Sequence, residues 1–132
     1  MNSYSKNRLI IFGSGDVDST TQGALTDITI EDNNEVNSSS FSGYKNYQGI
    51  LYISIDKTGD PDLPALTIEF SPNQGVDWYA LSANPFASIG FGKNAYSFNL
   101  PGSLFRFKLA PVNCDSSNTL IINAWAILNE DR

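Results

Sequence analysis

The stretch LTIEFSPNQGVDWYAL, residues 66–81, decides the fold. Leu66, Ile68 and Phe70 alternate with Thr67 and Glu69, the period of a strand that buries one face. Ser71, Pro72, Asn73, Gln74 and Gly75 then form a dense turn signal, in which Gly75 can take a positive φ. Val76–Leu81 reads as a returning strand, so the whole segment is a hairpin. The same grammar continues on both sides. GILYISIDK, residues 49–57, sets Leu51, Ile53 and Ile55 on one face and Ile50, Tyr52 and Ser54 on the other. LFRFKL, residues 104–109, turns Phe105, Phe107 and Leu109 inward and Arg106 and Lys108 outward. TLIINAWAIL, residues 119–128, is apolar on both faces, which suits a central strand or an interface. Strands are also expected over 25–30 and 95–100, with a weak, serine-rich one over 36–41. No segment carries a sustained helical period. Seven to nine short strands divided by Gly, Pro and Asn turns predict an all-β antiparallel β-sandwich, jelly-roll or immunoglobulin-like.

The chain is one domain of 132 residues, long enough to bury a core. Polar, almost apolar-free residues 13–23 read as a connection, so residues 1–23 are expected as an extended N-terminal arm and 24–132 as the sandwich. Within the arm the run Leu9, Ile10, Ile11, Phe12 is either a β-like segment for a neighbour's sheet edge or the first strand of its own sandwich. Four apolar residues are too few for a membrane span or a signal-peptide core, and no membrane partner is expected.

Composition excludes several chemistries. With no histidine, the usual general base, the Ser-His triad and most zinc sites are missing. Cys114 is alone, so no intrachain disulfide forms and nothing in the sequence activates the thiol. A net charge of −6 gives no basic face for nucleic acid. Asp56 with Glu69, or Glu31 with Glu35, reads as solvated carboxylates rather than a glycosidase pair. Asp56, Asp60 and Asp62 surround one loop, but their spacing matches no EF-hand. No catalytic, metal or cofactor site is expected, and the chain reads as a non-enzyme.

Four features in order carry a family resemblance: the Ser38–Ser40 run ending in Phe41-Ser42-Gly43-Tyr44, the Leu51–Pro61 strand and Gly-Asp-Pro loop, the Leu66–Trp78 strand and turn, and Leu100–Leu128 with its Leu-Pro-Gly and Phe-Arg-Phe elements. Over about residues 25–128 the chain resembles the small β-sandwich structural proteins of tailed bacteriophages. Their pattern has Asp-Gly-Gly where this chain has Asn73-Gln74-Gly75. The resemblance implies a capsid decoration or auxiliary protein located in the virion. Its partners would be the major capsid protein and copies of itself, a trimer suiting a capsid three-fold axis.

For such a role the expected partner-binding residues are Leu9, Ile10, Ile11 and Phe12 in the arm, with Phe86, Ile89 and Phe91 in the 82–93 loop. The loop's three apolar residues either cover one end of the sandwich or meet a partner. Gly75 and Trp78 are expected to be structural, the Trp78 ring packing across the hairpin on Phe70 or Leu66. The alternatives are a tail or head-tail connector subunit and, from another class, a carbohydrate-binding module that stacks sugars on Trp78, Tyr79 or Trp125.

Overall fold

The computed structural model describes residues 8–15, 25–43, 46–100 and 103–130. Ten strands form: β1 (Arg8–Phe12), β2 (Ile28–Ile30), β3 (Val36–Asn37), β4 (Phe41–Ser42), β5 (Asn46–Thr58), β6 (Ala65–Ser71), β7 (Tyr79–Ala80), β8 (Gly92–Asn99), β9 (Leu104–Ala110) and β10 (Thr119–Glu130). They build two antiparallel sheets. One has the order β1-β10-β5-β8, with β2 also on β10. The other has the order β3-β9-β6-β7, with β4 also on β9.

The two extra strands are continuations. β1 pairs with residues 124–127 of β10 and β2 with residues 120–122, so they lie end to end along one strand. A two-way backbone bridge between Ser14 and Thr26 closes the base of the excursion that separates them. β3 and β4 likewise share the outer side of β9. Ser38 fills their gap: its N–H donates to the Phe107 carbonyl, and its Oγ accepts the Phe107 N–H at 2.8 Å. The serine-rich stretch is thus a strand in which one side chain replaces a ladder carbonyl. Merging these pieces leaves eight strand positions. Their order in the two sheets is 1-8-3-6 and 2-7-4-5, the jelly-roll arrangement, which resolves the choice between jelly-roll and immunoglobulin-like.

The alternation expected from the sequence places the core. Leu51, Ile53 and Ile55 from β5 meet Leu66, Ile68 and Phe70 from β6 and Phe105, Phe107 and Leu109 from β9, all buried. β10 is central, with Leu120, Ile122, Ala124, Ala126 and Leu128 inward. Phe86, Phe98, Phe105 and Phe107 form an aromatic cluster with ring centroids 5.4–6.2 Å apart. Gly49 lies opposite Phe98, and a Cβ there would run into that ring.

Two expectations change here. Residues 8–12 of the predicted arm are the edge strand β1, and Ile11 and Phe12 belong to this sandwich's own core. The gain from burying two large apolar side chains, roughly 1.5–3 kcal/mol each, favours that over an extended arm. The rest of the arm, residues 1–7 and 16–23, lies outside the described residues. The returning strand expected over 76–81 shrinks to Tyr79–Ala80, because the turn before it is closed by its own side chains.

Candidate interaction surface

That turn shows what residues 71–78 do. Ser71 Oγ accepts the Gly75 N–H at 2.7 Å. Asn73 Oδ1 accepts the Asp77 N–H at 2.9 Å, while its Nδ2 donates to Asp77 Oδ2 at 2.8 Å. Gln74 and Gly75 both take positive φ, 61° and 90°. Asp77 is therefore spent on the turn. Trp78 does not pack on Phe70 or Leu66, which point into the core. Register explains this: Phe70 pairs with Tyr79, so the preceding Trp78 falls on the opposite, outward face. Its ring lies under the Arg106 guanidinium at 4.3 Å. Arg106 Nε in turn donates to Glu69 Oε1 at 2.9 Å, and Glu69 is buried beneath the pair.

The two outer faces of the sandwich differ in chemistry. Around Trp78, the outer face of the β9–β6 sheet carries Thr67, Glu69, Arg106 and Lys108, with Lys108 paired to Glu35 at 3.0 Å. The outer face of the β10–β5 sheet carries an apolar band, with Ser54, Asp56 and Asn123 beyond one end of it. Its cross-strand rows follow from the register: Ile10, Trp125, Tyr52 and Ala95 in one, Arg8, Ile127, Ile50 and Ser97 in the next. All the large residues in these rows are half-buried against one another, with one side left to solvent. Tyr52 stacks on Trp125 with centroids 4.6 Å apart, and Arg8 approaches the same indole at 5.5 Å from β1, the other flank of β10. Where the first row ends at the small Ala95, a concavity of about 430 Å³ opens beside Tyr52, bordered by Ser54, Lys93, Asn94 and Asn123.

The expected partner-binding residues divide. Ile11, Phe12, Phe86 and Ile89 are in the core, so the 82–93 loop covers the sandwich with Phe86 and Ile89. Asn84 fixes that loop, its Nδ2 donating to the Leu66 carbonyl and its Oδ1 accepting the Phe86 N–H. Leu9 packs half-buried against the core, and Ile10 lies on the apolar outer face. Phe91 is exposed, with Lys57 Nζ 4.8 Å from its ring centroid. The sequence reading missed Ile50, Tyr52, Trp125 and Ile127 acting as one surface. The signal was there in a β10 apolar on both faces, but the rows need the register.

Of the possible sugar platforms, Trp78 lies under Arg106 and Trp125 is contacted by Tyr52 and Arg8 from opposite flanks, whereas Tyr79 is exposed. The paired-carboxylate arrangement does not assemble: Asp56 projects from the outer face of one sheet and Glu69 from that of the other. Asp60 pairs with Lys57 and Asp62 accepts from Asn113. Among the described residues no group of three or more Asp, Glu, His or Cys converges as for a metal ion. Burial pushes the Cys114 thiol up from its ordinary pKa, and the nearby Asp115, Asp32 and Asp62 carboxylates add to the rise. Asp115 is held below the usual carboxylate range by the Ser117 N–H and the Asn118 amide, and closes the 115–118 turn.

Comparison with protein-family models, curated proteins and solved structures finds no match.

Proposed function

We propose that this chain is a non-enzymatic structural protein of a tailed-phage virion, seated on the outer surface of the capsid against the major capsid protein. The observation that carries the reading is the contrast between the outer faces. One is charged and paired within itself. The other is a half-exposed apolar band of Ile10, Ile50, Tyr52, Trp125 and Ile127. Contiguous apolar surface of this kind marks a protein contact site. The phage assignment rests on the resemblance in the sequence, whose segments fall on β4, β5, β6 with its turn, β9 and β10. The jelly-roll fold occurs in viral capsid proteins and in lectins alike, so it supports a virion role by analogy alone.

On this reading the contact is moved from the arm and loop to the outer face of the β1-β10-β5-β8 sheet. A protein that binds only the assembled shell stabilises it by mass action, and many copies multiply a modest affinity. The test is co-sedimentation of the purified chain with particles stripped of it. The wild-type chain pellets with the shell, and Ile127→Glu and Tyr52→Ser, folded by circular dichroism, stay in the supernatant. Binding of Ile127→Glu at wild-type level would remove the face from the contact. Binding to isolated tails but not to shells would favour the connector role.

A further inference from the structure

A jelly roll has four edge positions, and a soluble protein must blunt each one against pairing with another chain. Three are blunted here. The β1/β2 edge carries a bulge between Ile10 and Phe12 and is interrupted by the excursion based at Ser14 and Thr26. The β3/β4 edge is two pieces of two residues each, split at Ser38. The β7 edge is also two residues long, and beyond it the Asn84 side chain takes up the Leu66 carbonyl of β6.

β8 is the exception. It is eight residues long, pairs with β5 through all of them without a bulge, and contains no proline. Its other side has no strand neighbour among the described residues. Six of its eight residues are exposed, and no hydrogen bond from another described residue reaches its outward backbone groups. Such a strand is a template for a further strand.

The strand's own chemistry indicates what that strand is. The chain holds 14 acidic residues, yet none lies between Asp77 and Asp115, so β8 sits in a stretch free of the negative charge that keeps copies apart. Its one charged residue, Lys93, is off-centre. In an antiparallel pairing with itself centred on Ala95 or Tyr96, Lys93 falls opposite Ser97 or Asn99, never opposite a second Lys93. Pairing also joins the two apolar outer faces into one, because the Trp125, Tyr52, Ala95 row continues straight across the new seam.

We propose that β8 pairs antiparallel with β8 of a second copy, making a two-fold dimer with one continuous sheet across both chains. The inference is independent of the virion reading. Since each copy carries a net charge of −6, association tightens as salt is added. The test uses the full chain in sedimentation velocity from micromolar to several hundred micromolar, with hydrogen exchange at both ends of that range. The expected result is a dimer whose 92–99 amides gain protection with concentration, while those of β1 and β3 do not. Ala95→Lys and Ser97→Lys give monomers, and Thr29→Lys on the opposite edge leaves the dimer intact. A monomer throughout the range, a dimer without added protection at 92–99, or a dimer unaffected by both β8 variants would overturn the proposal.

Discussion

Arg106→Ala should cost this protein far more than an ordinary surface substitution. The guanidinium makes two contacts at once, 2.9 Å to Glu69 Oε1 and 4.3 Å to the Trp78 ring. Its side chain is 25% exposed and that of Glu69 11%, so water replaces the lost partner poorly. A charge-assisted hydrogen bond in such a setting contributes about 1.5–3 kcal/mol. A partly exposed cation–π contact adds roughly 0.5–1 kcal/mol. The sum, roughly 2–4 kcal/mol, should appear as a lower urea midpoint with an unchanged slope. The Arg106→Ala/Trp78→Ala double-mutant cycle isolates the ring's share, expected at about 0.5–1 kcal/mol. A loss below about 0.5 kcal/mol for Arg106→Ala, the range of an unremarkable surface change, would refute the reasoning. So would coupling under roughly 0.3 kcal/mol, within ordinary additivity, because Trp78 would then not be held by Arg106.

Three further outcomes follow from the same geometry. Gln74→Gly should stabilise by about 0.5 kcal/mol, since left-handed backbone costs an L-residue about 1–2 kcal/mol and glycine's extra unfolded-state entropy returns part of it; urea unfolding reads the change. Gly49→Ala should destabilise by about 1–3 kcal/mol by forcing the Phe98 ring aside, again by urea unfolding. Cys114, buried and with its pKa raised, should resist alkylation at pH 8 in the native protein and react quickly once urea unfolds it.

The fold was legible wherever alternation was strict. β5, β6 and β9 bury the residues their period-two pattern selects, and the two-faced apolarity of β10 marks its central place. Legibility failed where a long-range partner decides the state. Nothing local in residues 8–12 says that they pair with residues 124–127, over a hundred positions away, so the run read equally as an arm segment or as a first strand. The serine-rich strand over 36–41 looked merely weak, because the role of Ser38 depends on Phe107. Phe86 could equally cap a core or face a partner until Asn84 anchored its loop to β6. Gln74 gave no sign of its positive φ, since nothing in a glutamine marks that conformation. The interaction surface was half legible. The outward set Ile50, Tyr52, Trp125 and Ile127 is written in two strands, but the register alone makes it one surface.

The register also decides which face an assembly would use. The most direct measurement is cryo-electron microscopy of phage particles assembled in cells that make this protein, at a resolution that orients the sandwich. The account predicts jelly-roll density on the outer shell, with the Ile50, Tyr52, Trp125 and Ile127 face against the capsid protein and the Arg106, Glu69 and Lys108 face toward solvent. Density with the charged face on the shell, or particles that lack the protein altogether, would contradict it.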